Sequence, residues 1–232
     1  MDCAWTLSLP TSRVLRPAHP FQRKICEAVL DAGVARYVPW QFGVDYDFIG
    51  RGSAQELFDE QLEVRDLLRA QELTEWVIIS TGMFTSFLFE PAFGVIDLQS
   101  NTVNALGSKD TAITVTTAGD IGILTAEILL SEPRIRNTIV YTAGDTITYK
   151  RFSEVLQQLL GRSFNCEEWS VPELEQALSQ DPENSMRKYR VVFAKGQGVS
   201  WAKAQSFNAQ HRLVITNVEQ WAREHLEQLL AK

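Results

Sequence analysis

Histidine, cysteine and long apolar runs are all scarce in this chain, and each scarcity closes off a class of function. The three histidines (His19, His211, His225) lie far apart, and the three cysteines (Cys3, Cys26, Cys166) have no ligand spacing, so no metal site is expected. An odd, scattered set of thiols makes no disulfide framework either, which points to a reducing compartment and a cytoplasmic protein. No apolar stretch approaches the roughly 20 residues that span a bilayer. The opening Met1-Asp2-Cys3-Ala4-Trp5 lacks the charged-then-apolar layout of a signal peptide. No membrane partner is expected. Positive charge is also short: 22 Lys+Arg against 29 Asp+Glu leave a net charge of −7, which argues against a nucleic-acid surface.

What is present is ordinary globular composition, 45% hydrophobic and 22% charged over 232 residues, with no repeat and no low-complexity segment. That length suits one large domain or two small ones. The first half alternates strand-like and helix-like segments. Residues 3–9 are short and apolar. Pro20 then opens a helical run in which Phe21, Ile25, Ala28, Val29 and Ala32 recur at i, i+3/i+4, and Gly33 stops it. Residues 34–39 read as a strand, and Ser53 with Glu56 forms a capping box before a long amphipathic helix to about Ala70. Residues 76–80 form an unbroken apolar strand of the kind covered on both faces. Thr117 caps the next helix, and residues 138–141 return as a strand. This alternation predicts an α/β fold with a parallel sheet.

The second half changes character. Helical patterns cover residues 149–160, 172–178 and 218–230, with further capping boxes at Ser170/Glu173 and Thr216/Glu219. The expected organisation is a core over residues 1–148 and a smaller helix-rich cap over residues 149–232, with the binding crevice between them.

Five stretches, in their order and spacing, carry a family likeness. They are Ala32-Gly33-Val34-Ala35-Arg36-Tyr37-Val38-Pro39 running into Phe42-Gly43-Val44-Asp45, and Phe58-Asp59-Glu60-Gln61-Leu62-Glu63-Val64-Arg65. Trp76-Val77-Ile78-Ile79-Ser80-Thr81-Gly82-Met83-Phe84 follows, then Gly119-Asp120-Ile121-Gly122 and Ala143-Gly144-Asp145-Thr146-Ile147-Thr148-Tyr149. Together they resemble the NmrA-like, isoflavone-reductase-like branch of the atypical short-chain dehydrogenases, in its fungal form, over nearly the whole chain. The resemblance implies a Rossmann-like α/β fold. Two departures shape the functional expectation. Members of that family begin with a strand, a G-x-G-x-x-G loop and a helix that together hold a dinucleotide pyrophosphate. Nothing like it precedes Cys3, so the expected fold is a truncated Rossmann-like sheet lacking the first βα units. Gly50-Arg51-Gly52-Ser53 and Gly196-Gln197-Gly198 read as a loop and a helix stop, not as substitutes. Where the family's reductases carry an acid/base lysine, this chain has Gln61, and an amide transfers no proton at ordinary pH. Trp40-Gln41 replaces the family's Ser-Glu before Phe-Gly.

These departures lead to the expectation that nicotinamide binding is lost and that no cofactor is used. The crevice beyond the strand ends gathers Trp40, Gln41, Phe42, Tyr46, Met83, Phe84 and Phe87 as candidate substrate-binding residues. Large aromatics in such positions can equally be core. Asp45, Asp47 and Glu90 are the candidate acids. A carboxyl desolvated in an apolar pocket keeps its proton near neutral pH, whereas Asp45 can also be a plain turn residue. Asp45 and Glu90, with Gln61 orienting an oxygen, make up the expected catalytic set. The basic cluster Arg187, Lys188, Tyr189, Arg190 reads as a reach into the crevice or a solvated helix face. The expected activity is a cofactor-independent isomerase or cyclase of fungal secondary metabolism acting on a hydrophobic aromatic, polyketide-like substrate. The alternatives are a non-catalytic, dinucleotide-sensing regulator and a truncated NAD(P)H-dependent reductase. A shortened sheet leaves an edge to be covered. A homodimer is expected, or residues 1–20 folded over the gap.

Overall fold

A computed structural model of the chain describes residues 21–225; the expected strand at 3–9, the refolded segment 1–20 and the helix beyond Glu224 fall wholly or partly outside them. The amphipathic run after Pro20 forms α1 (Phe21–Asp31), and β1 (Arg36–Tyr37) follows the Gly33 turn at φ +61°. A one-turn helix, α2 (Tyr46–Ile49), and the long α3 (Leu57–Arg69) lead into β2 (Glu75–Ser80). Next come β3 (Met83–Phe84), α4 (Thr85–Leu88), β4 (Ile96–Asp97), β5 (Thr102–Leu106) and β6 (Ala112–Thr116). The helix capped by Thr117 is α5 (Ala118–Leu130), followed by β7 (Thr138–Tyr141), β8 (Asp145–Thr148) and α6 (Tyr149–Leu160). The last third holds β9 (Asn165–Trp169), α7 (Val171–Gln180), α8 (Ser185–Lys195), α9 (Phe207–Gln210) and α10 (Val218–Glu224).

The sheet β1-β2-β7 is wholly parallel, with Val77 opposite Thr138 and Ser80 opposite Tyr141. Its central strand shows why an unbroken apolar run means burial on two sides. Trp76 and Ile78 pack with Cys26 of α1 and Val64 and Leu68 of α3. Val77 and Ile79 point the other way, onto Leu124 and Ile128 of α5. The fold is thus the expected α/β, Rossmann-like arrangement. Two mixed sheets, also three-stranded, accompany it, β3-β6-β8 and β4-β5-β9. The half read as helical therefore contributes a strand: β9 pairs parallel with β5, Val103 beside Cys166 and Leu106 beside Trp169. None of its residues is fully buried, so it carries no apolar run to betray it.

Two capping expectations shift. Helix α3 starts at Leu57, so Ser53 bonds only its neighbour Gln55 (3.2–3.3 Å), and the Glu56 carboxylate instead accepts from Lys188 Nζ at 2.7 and 2.9 Å. The last box is one residue later than read, Asn217 with Gln220. Ser170 and Glu173 bond as expected. Among the described residues no helix is long and apolar enough to cross a membrane.

Candidate functional site

A crevice of about 470 Å³ opens beyond the carboxyl ends of β1 and β2. Two loops form its floor, and backbone hydrogen bonds hold them side by side: Thr81 and Gly82 N–H both donate to the Gly43 carbonyl at 2.9 Å. Gly82 has to be glycine. Its φ is +72°, and a Cβ there would collide with the Thr114 carbonyl. Leu57, Phe58, Glu60 and Gln61 of α3 make one wall, Met83, Phe84 and Phe87 a second, and Tyr189 and Phe193 of α8 the third. Phe21, Gln22 and Trp40 stand at the mouth, with Trp40 58% exposed. The rings meet edge to face: Tyr46 on Phe58 at 5.0 Å, Phe58 on Tyr189 at 6.0 Å and Phe87 on Tyr189 at 5.7 Å.

Seven of the residues expected at the site line this crevice: Trp40, Phe42, Tyr46, Gln61, Met83, Phe84 and Phe87. Three do not. Gln41 is buried behind the wall, where its Oε1 accepts from Arg65 Nε at 2.7 Å and its Nε2 donates to the Gln61 carbonyl at 2.8 Å. Asp45 caps α2 and accepts from the Tyr141 hydroxyl at 2.8 Å, with Arg65 Nη1 at 3.6 Å. It faces a second cavity, bounded by Phe48, Tyr141 and Trp201. Glu90 is exposed at the end of α4, away from both cavities. The third candidate acid, Asp47, binds Arg65 at 2.7 Å and Arg69 at 2.6 and 2.9 Å. The Arg69 hydrogen bonds, with Arg65 adding to them, hold its carboxyl below the usual carboxylate range. None of the three carboxyls is a desolvated acid in the apolar crevice. Turn-capping and ion pairing claimed Asp45 and Asp47, and the surface claimed Glu90.

The basic cluster resolves into separate tasks. Lys188 pairs with Glu56, Arg190 donates to the Ala92 and Phe93 carbonyls at 2.8 Å, and Arg187 donates to the Ala177 carbonyl at 2.6 Å. Tyr189, hidden among these cations in sequence, enters the crevice. Of the two readings of that segment, reach into the crevice holds for Tyr189 alone. Phe193, Phe58 and Leu57 were missed; the i, i+4 pairing of Tyr189 with Phe193 on one helix face was the available signal for Phe193. Both glycine pairs are structural. Gly52 N–H donates to the Asp59 carboxylate at 3.0 Å, and the Gly198 carbonyl accepts from Asp45 N–H at 2.8 Å.

Residues 18–222 match the NmrA-like family. An NmrA-like family domain-containing oxidoreductase of Gibberella moniliformis is 42% identical over 204 residues, 88% of this chain and 67% of that protein. Oxidoreductase aprR of Aspergillus flavus is 28% identical over 156 residues, 65% of this chain and 50% of that protein. Among solved structures, isoflavone reductase superposes with a TM-score of 0.72 at 18% identity, covering 88% of this chain and 70% of that one. A binary complex of leucoanthocyanidin reductase with NADPH from Vitis vinifera gives 0.72 at 16% identity, covering 89% and 73%. The expectation that no cofactor is involved is overturned by these relatives: the two fungal proteins are oxidoreductases, and the superposed reductase is an NADPH complex. The crevice fits the ring end of a nicotinamide, with aromatic walls and the unbonded Gln61 Oε1 beside them. It is lined by no basic side chain among the described residues, so its contribution to such a cofactor is to the ring and not to the phosphates.

Proposed function

The chain belongs to the NmrA-like family, and from that premise we propose that its crevice serves the nicotinamide-dependent reduction of a flat, apolar aromatic compound. The observation that carries this reading is the cavity itself: walls of edge-to-face aromatic rings around a few polar atoms, at the carboxyl ends of parallel strands where α/β folds place their ligands. Each well-placed ring contact contributes about 0.5–1.5 kcal/mol beyond area burial, so three walls of aromatics hold a planar ligand with little help from charge. A reduced nicotinamide, when bound, supplies the hydride. The chain's own residues exclude water, through Phe58, Phe87 and Tyr189, and orient the ligand. Gln61 sits where the reductases that this chain resembles carry lysine. Its carboxamide can hold an oxygen in place but delivers no proton. Its backbone is fixed from behind by Gln41 and Arg65.

Cofactor-independent cyclisation has less behind it. The comparisons offer it no support, and its acids are held elsewhere: Asp45 beside Tyr141 and Arg65, Glu90 in solvent. The deciding experiment is a titration of the protein with NADPH, followed by tryptophan fluorescence with Trp40 at the crevice mouth as reporter. Micromolar binding, then NADPH oxidation on adding quinones or enones of aromatic compounds, is the expected result. Binding without oxidation by any of them would favour a sensor, in keeping with the amide at position 61. No binding at millimolar NADPH would remove the reductase reading.

A further inference from the structure

The second cavity, about 470 Å³, lies at the carboxyl end of β7, between the Asp45 cap of α2 and the segment that follows α8. Three rings line it: Tyr141 and Trp201, packed edge to face at 5.1 Å, and Phe48, which is 67% exposed. The polar handles of the first two are engaged by the protein. The Tyr141 hydroxyl donates to Asp45 Oδ2 at 2.8 Å, and Trp201 Nε1 donates to the Thr142 carbonyl at 3.1 Å. The one charged group of the lining is Asp45, and no basic side chain lines the cavity among the described residues. Its charge is only partly answered. Arg65 makes its short contacts with Asp47 and Gln41, both at 2.7 Å, and stands 3.6 Å from Asp45 Oδ1. The Phe48 N–H reaches that same oxygen only at 3.4 Å. The walls are fixed in advance. Asp45 N–H donates to the Gly198 carbonyl at 2.8 Å, and at Gly198, with φ +67°, a Cβ would collide with the Asp45 carbonyl.

We propose that this second cavity binds a methylated ammonium ion, with Asp45 supplying the charge and Phe48, Tyr141 and Trp201 the ring surface. A cation of this kind is attracted to aromatic rings within about 6 Å of their centres. Its methyl groups need no hydrogen bond, so the donors already on Asp45 stay in place. An anion meets a carboxylate with no cation beside it in the lining. A neutral molecule of the same shape gains the apolar contact without the charge. The site shares no lining residue with the aromatic crevice and does not depend on the reductase reading.

The test is calorimetric titration of the full chain with choline and with its neutral isostere, in which carbon replaces the quaternary nitrogen, at constant ionic strength. Choline should bind about tenfold more tightly than the isostere. Asp45→Asn keeps a side-chain oxygen for the α2 cap and for the Tyr141 hydroxyl, and it should erase that difference. Phe48→Ala removes an exposed ring and should weaken choline about threefold. Equal affinity for choline and isostere in the wild type, or a choline preference that survives in Asp45→Asn, would overturn the proposal. So would the absence of choline binding at about 50 mM, a weak threshold for so small a ligand. Should Asp45→Asn fail to fold, Phe48→Ala decides, and unchanged choline affinity there would overturn the site.

Discussion

One helical turn of α3 separates Gln61 from Arg65 on the same face of the helix, and the two turns treat polar groups in opposite ways. Behind the wall, Arg65 is wholly buried and engaged. It reaches Gln41 and Asp47 at 2.7 Å and Asp45 at 3.6 Å and covers the Tyr46 ring, leaving Nη2 unbonded. Arg69 and Tyr141 complete the far side. On the crevice side the polar groups are few, and Gln61 Oε1 is buried without a partner among the described residues. The contrast teaches where chemistry is to be sought in this fold. Carboxylates and guanidinium groups paired with one another hold the loops in place, whereas the crevice is walled mainly by aromatic rings.

The most severe way to break the contrast is Arg65→Met. It leaves Asp47, Asp45 and Gln41 short of a partner in a water-poor region. Urea denaturation should show a loss of about 3–5 kcal/mol, the usual cost of removing one member of a buried ion pair. Retention of wild-type stability would mean that the network is ornamental. Gly43→Ala comes next. The added methyl must displace the Tyr46 ring, and the same denaturation should show a loss of about 1–3 kcal/mol.

Acid provides a gentler test of the network. Arg69 first, and Arg65 with it, hold the Asp47 carboxyl below its ordinary value. The stability this contributes is fully present above the unfolded carboxylate value of about 4 and disappears as pH falls through the lower folded value. Acid unfolding of Asp47→Asn should therefore lack part of the loss that the wild type shows below about pH 4. Superimposable acid limbs would count against the ion pairs. The smallest effect belongs to Glu90→Gln, which touches neither region. Stability should stay within about 0.5 kcal/mol of wild type, with ligand affinity unchanged. A loss of activity there would restore Glu90 as a candidate acid.

Much of the fold was legible along the chain because its signals are local. The run Trp76–Ile79 announced a strand covered on both faces, and α6 began at the Thr148 cap and ended at Gly161 in the left-handed conformation. Strand β9 was not legible. A half-exposed Asn-Cys-Glu-Glu-Trp has no apolar period, and only β5 alongside makes it a strand. At the site, the aromatic residues following β1 and β2 could be read from topology, since loops after parallel strands converge. For Tyr189 the sequence left two readings open, because its charged neighbours dominate the segment until their partners are known, and Lys188 finds Glu56 across 132 positions of sequence.

Local physics, then, was written in the order of the residues: helix periods, strand runs and glycines where φ must be positive. Which carboxylates became ion pairs and which aromatic rings came to line the crevice was decided only in three dimensions. Asp45 and Asp47 look alike in sequence to any acid near a crevice. A carboxyl's role depends on what lies within about 4 Å of it, and for these two the deciding groups, Arg65, Arg69 and Tyr141, come from elements far along the chain.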